Sequence, residues 1–124
     1  MRRDAPYVLV VDAYPDGAAS ARDVLSLYGL RAKTASSCAE AVAMSRDECP
    51  AAVVTDTRLP DGDGCKLADL LRATTRHAPA VIAIGSTPRI TPDTFDGWFL
   101  KPAEPCQLVE VLRRYVPLSV RHRS

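Results

Sequence analysis

Hydrophobic residues along the chain fall into short unbroken runs separated by longer, spaced patterns. Tyr7-Val8-Leu9-Val10-Val11 is continuous, β-prone and ends at Asp12; unbroken hydrophobicity of this length suits a strand covered on both faces. From about Asp16, residues Ala18, Ala21, Val24, Leu25 and Tyr28 recur at helical spacing, with Gly29 placed to cap the helix. Arg31 to Ala35 alternates polar and small residues, as a short outer strand does. Ser37 followed by Glu40 forms a capping box that opens a second helix through Ala41, Val42 and Met44, which must stop before Pro50. Ala51 to Asp56 reads as a third strand, and the turn-rich Leu59 to Gly64 as a loop. Leu67, Leu70 and Leu71 mark a third helix, Ala80 to Ile84 a fourth strand, and Trp98 to Leu100 a short fifth. Gln107 to Tyr115 closes the chain as a helix with Leu108, Val111, Leu112 and Tyr115 inward.

Alternating β and α units of this size predict an α/β fold: a flavodoxin-like, doubly wound five-stranded parallel sheet, (βα)5. The fourth helix is predicted to be reduced or missing, because Lys101 follows Gly85 by only 16 positions and the stretch includes Pro88 and Pro92. The expected organisation is a flexible start over 1–6, one domain over 7–117 and a basic tail over 118–124.

Composition narrows the function classes. A length of 124 residues suits a single core. With 16 Lys and Arg against 15 Asp and Glu, the net charge of +1 supplies no field to draw in nucleic acid. The apolar run after Arg2 and Arg3 is too short for a secretion signal, and no stretch is long enough to span a bilayer, so a cytoplasmic location with no membrane contact is expected. Cys38, Cys49, Cys65 and Cys106 lack the spacing of a zinc site or a disulfide framework and read as reduced thiols.

In sheets of this class ligands bind outside the carboxyl ends of the strands, where the strand order reverses. Asp12 ends the first strand, Asp56 the third, Gly85 and Ser86 the fourth, and Lys101 the fifth. Taken singly, an aspartate at a strand end is most simply a helix cap or turn former. Taken together, the two carboxylates and the lysine are equipped to bind a divalent cation or attack phosphorus, with Mg²⁺ as the matching cation and the lysine as partner of a phosphoryl oxygen. A hydrolase would need a general acid or base as well, and His77, beside Pro79, stands away from this end of the sheet.

The segments Val8-Leu9-Val10-Val11-Asp12, Val53-Val54-Thr55-Asp56-Thr57-Arg58-Leu59-Pro60-Asp61-Gly62-Asp63-Gly64 and Phe99-Leu100-Lys101-Pro102 together resemble the response-regulator receiver family over nearly the whole chain. The resemblance implies that Asp56 accepts a phosphoryl group and that Lys101 contacts it. It implies a Mg²⁺ site of Asp12, Asp56 and the backbone carbonyl of Arg58. Gly85, Ser86 and Trp98 fall at the family's switch positions. Expected partners are a sensor histidine kinase or phosphotransfer protein and an output domain or effector protein; the family also commonly forms a homodimer. Beyond its own phosphorylation and dephosphorylation, no enzyme activity is implied.

Three positions depart from the family pattern. Ala13 stands where a second acid is usual, Gly85 where a Ser or Thr is usual, with Ser86 one place late, and the Gly85–Lys101 stretch is short. Asp16, reaching back from the first helix, and the Arg58 guanidinium, placed over Asp56, are the candidates to compensate. The alternative function is a phosphorylation-independent pseudo-receiver serving as a protein-interaction module.

Overall fold

A computed structural model describes residues 6–85, 94–101 and 103–116. The elements follow the order β1 (Tyr7–Val11), α1 (Pro15–Leu27), β2 (Arg31–Ala35), α2 (Cys38–Asp47), β3 (Ala52–Asp56), the two-residue strands β4 (Arg58–Leu59) and β5 (Gly62–Asp63), α3 (Gly64–Thr74), β6 (Ala80–Gly85), β7 (Gly97–Leu100) and α4 (Pro105–Leu112). The main sheet has five strands in the order β2-β1-β3-β6-β7. Every pairing in it is parallel. This is the flavodoxin-like arrangement that the hydrophobic pattern predicts, with four helices among the described residues. Pro88, Pro92 and Ser86 lie outside those residues, as do most of the expected N-terminal segment and the basic tail.

Strand alternation explains why β1 shows no polar face. Tyr7, Leu9 and Val11 join the core that packs against α2 and α3. Val8 and Val10 point the other way, into the core formed with α1 and α4. Both layers are dry: Leu67, Leu71, Ile82 and Leu112 are fully buried. Gly29, at φ +85, ends α1 in the left-handed conformation that the sequence predicts for it. The amide of Leu30 then reaches the carbonyl of Leu25, and that of Gly29 the carbonyl of Ser26, the paired closure that such a glycine allows.

Three expectations need correction. Tyr115 is exposed rather than inward, and the last helix ends at Leu112 rather than at Tyr115, so helical spacing no longer sets the direction of that side chain. The inward position beside it is taken by Val116, which is buried. The stretch from Leu59 to Gly64 is not all loop, because Arg58–Leu59 and Gly62–Asp63 pair as a tiny antiparallel ladder.

Candidate functional site

The site forms where the sheet order turns. The connection from β1 leads to the outer strand β2, whereas β3 lies on the other flank of β1, leaving a crevice at the carboxyl ends of β1 and β3. Asp12 and Asp56 stand on either side of it, and Lys101 arrives from the end of β7.

Asp12 is fixed from two directions. Its amide donates to the carbonyl of Ala35, and its carboxylate Oδ1 accepts the amide of Tyr14, at 3.0 and 2.9 Å. That second bond holds the carboxylate at the N-terminal turn of α1, where helix polarity favours negative charge. Gly17 allows the approach: a Cβ at that position would lie 2.8 Å from the other carboxylate oxygen. Nothing in hydrophobic spacing marks Gly17, although a glycine in the first turn of a helix is a legible oddity.

Asp56 ends β3 with its side chain only 11% exposed, and Lys101 Nζ lies 3.1 Å from its Oδ2. Lys101 is carried there by the sheet, since its amide donates to the carbonyl of Gly85 at 2.8 Å and so continues the β6–β7 ladder. The loop after Asp56 is held equally firmly. The amide of Gly64 donates to the carbonyl of Thr57, and a Cβ at Gly64 would come 3.3 Å from the Asp56 carbonyl, so a glycine lets α3 start close beneath the site.

Around these groups lies an open cleft of about 340 Å³ lined by Ala13, Tyr14, Asp56, Thr57, Arg58, Leu59 and Lys101. A smaller space of about 70 Å³ adjoins it, with Asp12, Asp56 and Lys101 among its walls. The carboxylates of Asp12 and Asp56 both line the smaller space, and with the Arg58 carbonyl that the family resemblance names they would make an all-oxygen donor set. That suits Mg²⁺, which is typically held through one or two carboxylates and keeps several waters. With Ala13 beside Asp12, no group of three or more His, Cys, Asp or Glu side chains able to hold a metal forms among the described residues. Asp16 does not supply the third, being exposed on the first turn of α1. Nor does Arg58 cover Asp56: its side chain is exposed, and the cation paired with Asp56 is Lys101.

Gly85 and Trp98 adjoin the same end of the sheet, and Ser86 lies outside the described residues. Thr57 and Tyr14 were not singled out by sequence reasoning, because a threonine and a tyrosine beside turn residues carry no signal of their own. Asp61 escaped notice too. Its two carboxylate oxygens accept the amides of Cys38 and Ala39 at 2.8 and 3.0 Å, tying the loop after β3 to the first turn of α2. All four cysteines are free, and burial pushes the Cys38 thiol up to about 11. Among the described residues no helix is long and apolar enough to cross a membrane.

Comparison with known proteins places this geometry. No curated protein matches the chain. Among solved structures, a CheY-like receiver domain from Methylobacillus flagellatus superposes with a TM-score of 0.81 at 23% identity, covering 90% of this chain and 99% of its own. A sensor protein from Polaromonas sp. JS666 gives 0.81 at 24% identity, covering 89% and 94%. The receiver domain of a sensor histidine kinase from Pseudomonas aeruginosa PAO1, which has a magnesium ion coordinated in its active-site cleft, gives 0.77 at 21% identity, covering 90% and 98%. At such identities these likenesses speak for the fold. The sequence itself matches the response regulator receiver domain family over residues 8–113. That span runs from within β1 to just past α4 and includes all three residues of the crevice, so the chain belongs to the response regulator receiver domain family of two-component systems.

Proposed function

We propose that this domain accepts a phosphoryl group on Asp56 from a histidine kinase or phosphotransfer protein in the cytoplasm, and passes that state to an output domain or effector protein. The observation that carries the reading is the Asp56–Lys101 pair, 3.1 Å apart at the rim of an open cleft. An interaction module with no phosphoryl chemistry has no need of a nearly buried carboxylate held against a lysine, which makes the pseudo-receiver the weaker alternative.

In the transfer, an Asp56 carboxylate oxygen attacks the phosphorus of the donor's phosphohistidine. The P–O bond of an acyl phosphate forms as the P–N bond breaks, and the released imidazole nitrogen takes up a proton. Lys101 neutralises one oxygen of the moving group, and the backbone around Thr57 keeps Asp56 in line. Mg²⁺ would be held by Asp12, Asp56 and the Arg58 carbonyl, where it supplies charge neutralisation for the phosphoryl oxygens. Ala13 removes one negative charge from that neighbourhood, so weak Mg²⁺ binding belongs to the same proposal. Beyond its own phosphorylation and dephosphorylation we assign the domain no catalysis.

The test is intact-mass spectrometry of the wild type and Asp56→Ala after incubation with Mg²⁺ and acetyl phosphate. A phosphate adduct on the wild type that disappears in the variant supports the assignment. An unmodified wild type, with a cognate kinase also supplied, would sink it.

A further inference from the structure

Gly85 ends β6, and the space its missing side chain leaves is already filled. A Cβ at this position would lie 2.8 Å from Cζ2 and 3.2 Å from Cη2 of Trp98, and 3.1 Å from Cγ2 of Thr57. The atom in the way belongs to a rigid ring plate rather than to the end of a flexible chain, so relief requires the indole to move as a whole. Trp98 stands on β7 opposite Ala83 and is half-buried. Its Nε1 is buried with no hydrogen-bond partner among the described residues. Packing therefore holds the ring, and part of that packing is Phe95, whose ring centroid is 5.7 Å away at a tilt of 56°. Thr57, the other wall of the same spot, directly follows Asp56 and lines the 340 Å³ cleft.

We propose that Trp98 is a fixed wedge and a positioning residue. Gly85 supplies the room, and the indole sets the Thr57 wall of the cleft in one place, whether or not Asp56 carries a phosphoryl group. The last clause rests on the function proposed above; the steric part does not. Although Trp98 falls at one of the family's switch positions, any signal leaving the domain travels by a route other than rotation of Trp98.

Trp98 is the chain's one tryptophan, so intrinsic fluorescence reads its position directly. In the wild type the emission is that of a shielded indole and acrylamide quenches it weakly; an indole quenched as readily as free tryptophan overturns the proposal. Gly85→Thr shifts the emission to the red and increases quenching, with the far-UV circular dichroism of a folded chain. Should Gly85→Thr fail to fold, Gly85→Ala decides by its melting temperature. It melts lower than the wild type, and costs clearly less when added to Trp98→Ala, where only the Thr57 contact remains. Equal losses in both backgrounds refute the wedge. Wild type carrying the acetyl-phosphate adduct, verified by mass, keeps the emission of the unmodified protein; a shift upon modification refutes the fixed position. If no adduct forms, the proposed function fails alone, and the Gly85 variants still settle the wedge.

Discussion

The two ends of the β-sheet handle negative charge in opposite ways. At the amino end, Glu48 is enclosed by partners. Arg31 grips both its oxygens at 3.1 and 3.3 Å, Lys33 adds a bond at 2.9 Å, and the hydroxyl of Tyr7 donates to the backbone carbonyl of the same residue. Both cations also lie over the Tyr7 ring, at 5.3 and 4.8 Å. Hydrogen bonds first from Arg31 and then from Lys33 hold the Glu48 carboxyl down at about 2, from the ordinary 4.5. At the carboxyl end, Asp56 has a single cation, a lysine whose side chain is 42% exposed, and faces an open cleft. Glu48 is committed to holding the fold, and its acceptors are spent there. Asp56 is left with acceptor capacity, as the phosphoryl transfer proposed for it would need.

That contrast is sharpest in variants that remove one charge from each end. Lys101→Met is expected to slow phosphoryl uptake by about 100-fold, the usual cost of losing one charge-stabilising donor. It should leave folding stability within about 1 kcal/mol of the wild type, since a half-exposed ion pair contributes little. The time course of the mass adduct, set beside a thermal melt, measures both. A large loss of stability with unchanged uptake would reverse the roles of the two ends.

Glu48→Gln is the counterpart. It should cost about 2 kcal/mol, less than the full shift in its titration implies because Arg31 and Lys33 are partly exposed, and lower the melting temperature by several degrees without changing uptake. The acid profile provides a second reading. A carboxyl whose folded pKa is depressed contributes stability that is present above about 4.5 and is lost as the pH falls from there through about 2. Stability of the wild type should therefore decline over that window more steeply than stability of Glu48→Gln. Parallel profiles would show that the Arg31–Lys33 enclosure contributes no linkage.

Ala13→Asp tests the open end by adding charge rather than removing it. A further carboxylate beside Asp12 should tighten Mg²⁺ binding by about tenfold, the effect of one nearby charge at an effective dielectric typical of a protein surface. Calorimetric titration of wild type and variant with Mg²⁺ measures it. Equal affinities would mean that position 13 lies beyond reach of the ion.

The amino-acid sequence made the sheet and the ends of its strands legible for one physical reason. A strand buried on both faces must be hydrophobic throughout, so Tyr7–Val11 and Ala80–Ile84 announce themselves, and the first polar residue after such a run marks its carboxyl end. Asp12, Asp56 and Lys101 were found that way. The relations missed are those in which one element meets another without periodicity. The Ser37–Glu40 box shows the boundary. Ser37 accepts the amide of Glu40 as its spacing predicts, but the Glu40 carboxylate turns to the amide and hydroxyl of Ser36, and Asp61 from a distant loop serves the amides of Cys38 and Ala39. The wedge of Trp98 over Gly85 is equally invisible in one dimension. Its two residues are 13 positions apart; the register sets Trp98 opposite Ala83, and the length of the indole carries it to Gly85 two positions on.

Asp61 also supplies the smallest effect and the one that most directly challenges the contrast between the two ends. It lies at the open end, yet it resembles Glu48 in being fully used: both carboxylate oxygens accept backbone amides of α2, and the Lys66 ammonium donates to its carbonyl at 3.0 Å. The amides of Cys38 and then Ala39 hold its carboxyl below the usual aspartate value. Its contribution is therefore present at neutral pH and fades as acid protonates it. Solvent surrounds Asp61, however, and water can replace a lost cap there more readily than at the half-buried Glu48. Asp61→Ala should lower the melting temperature by less than Glu48→Gln does, and Asp61→Asn, which keeps one acceptor oxygen, by less again. Phosphoryl uptake should fall modestly in Asp61→Ala, since the loop from Thr57 to Gly64 loses its tie to α2. If Asp61→Ala instead destabilised the domain more than Glu48→Gln, the firmest acidic anchor of the fold would lie beside the reactive carboxylate, and the division of labour between the two ends would fail.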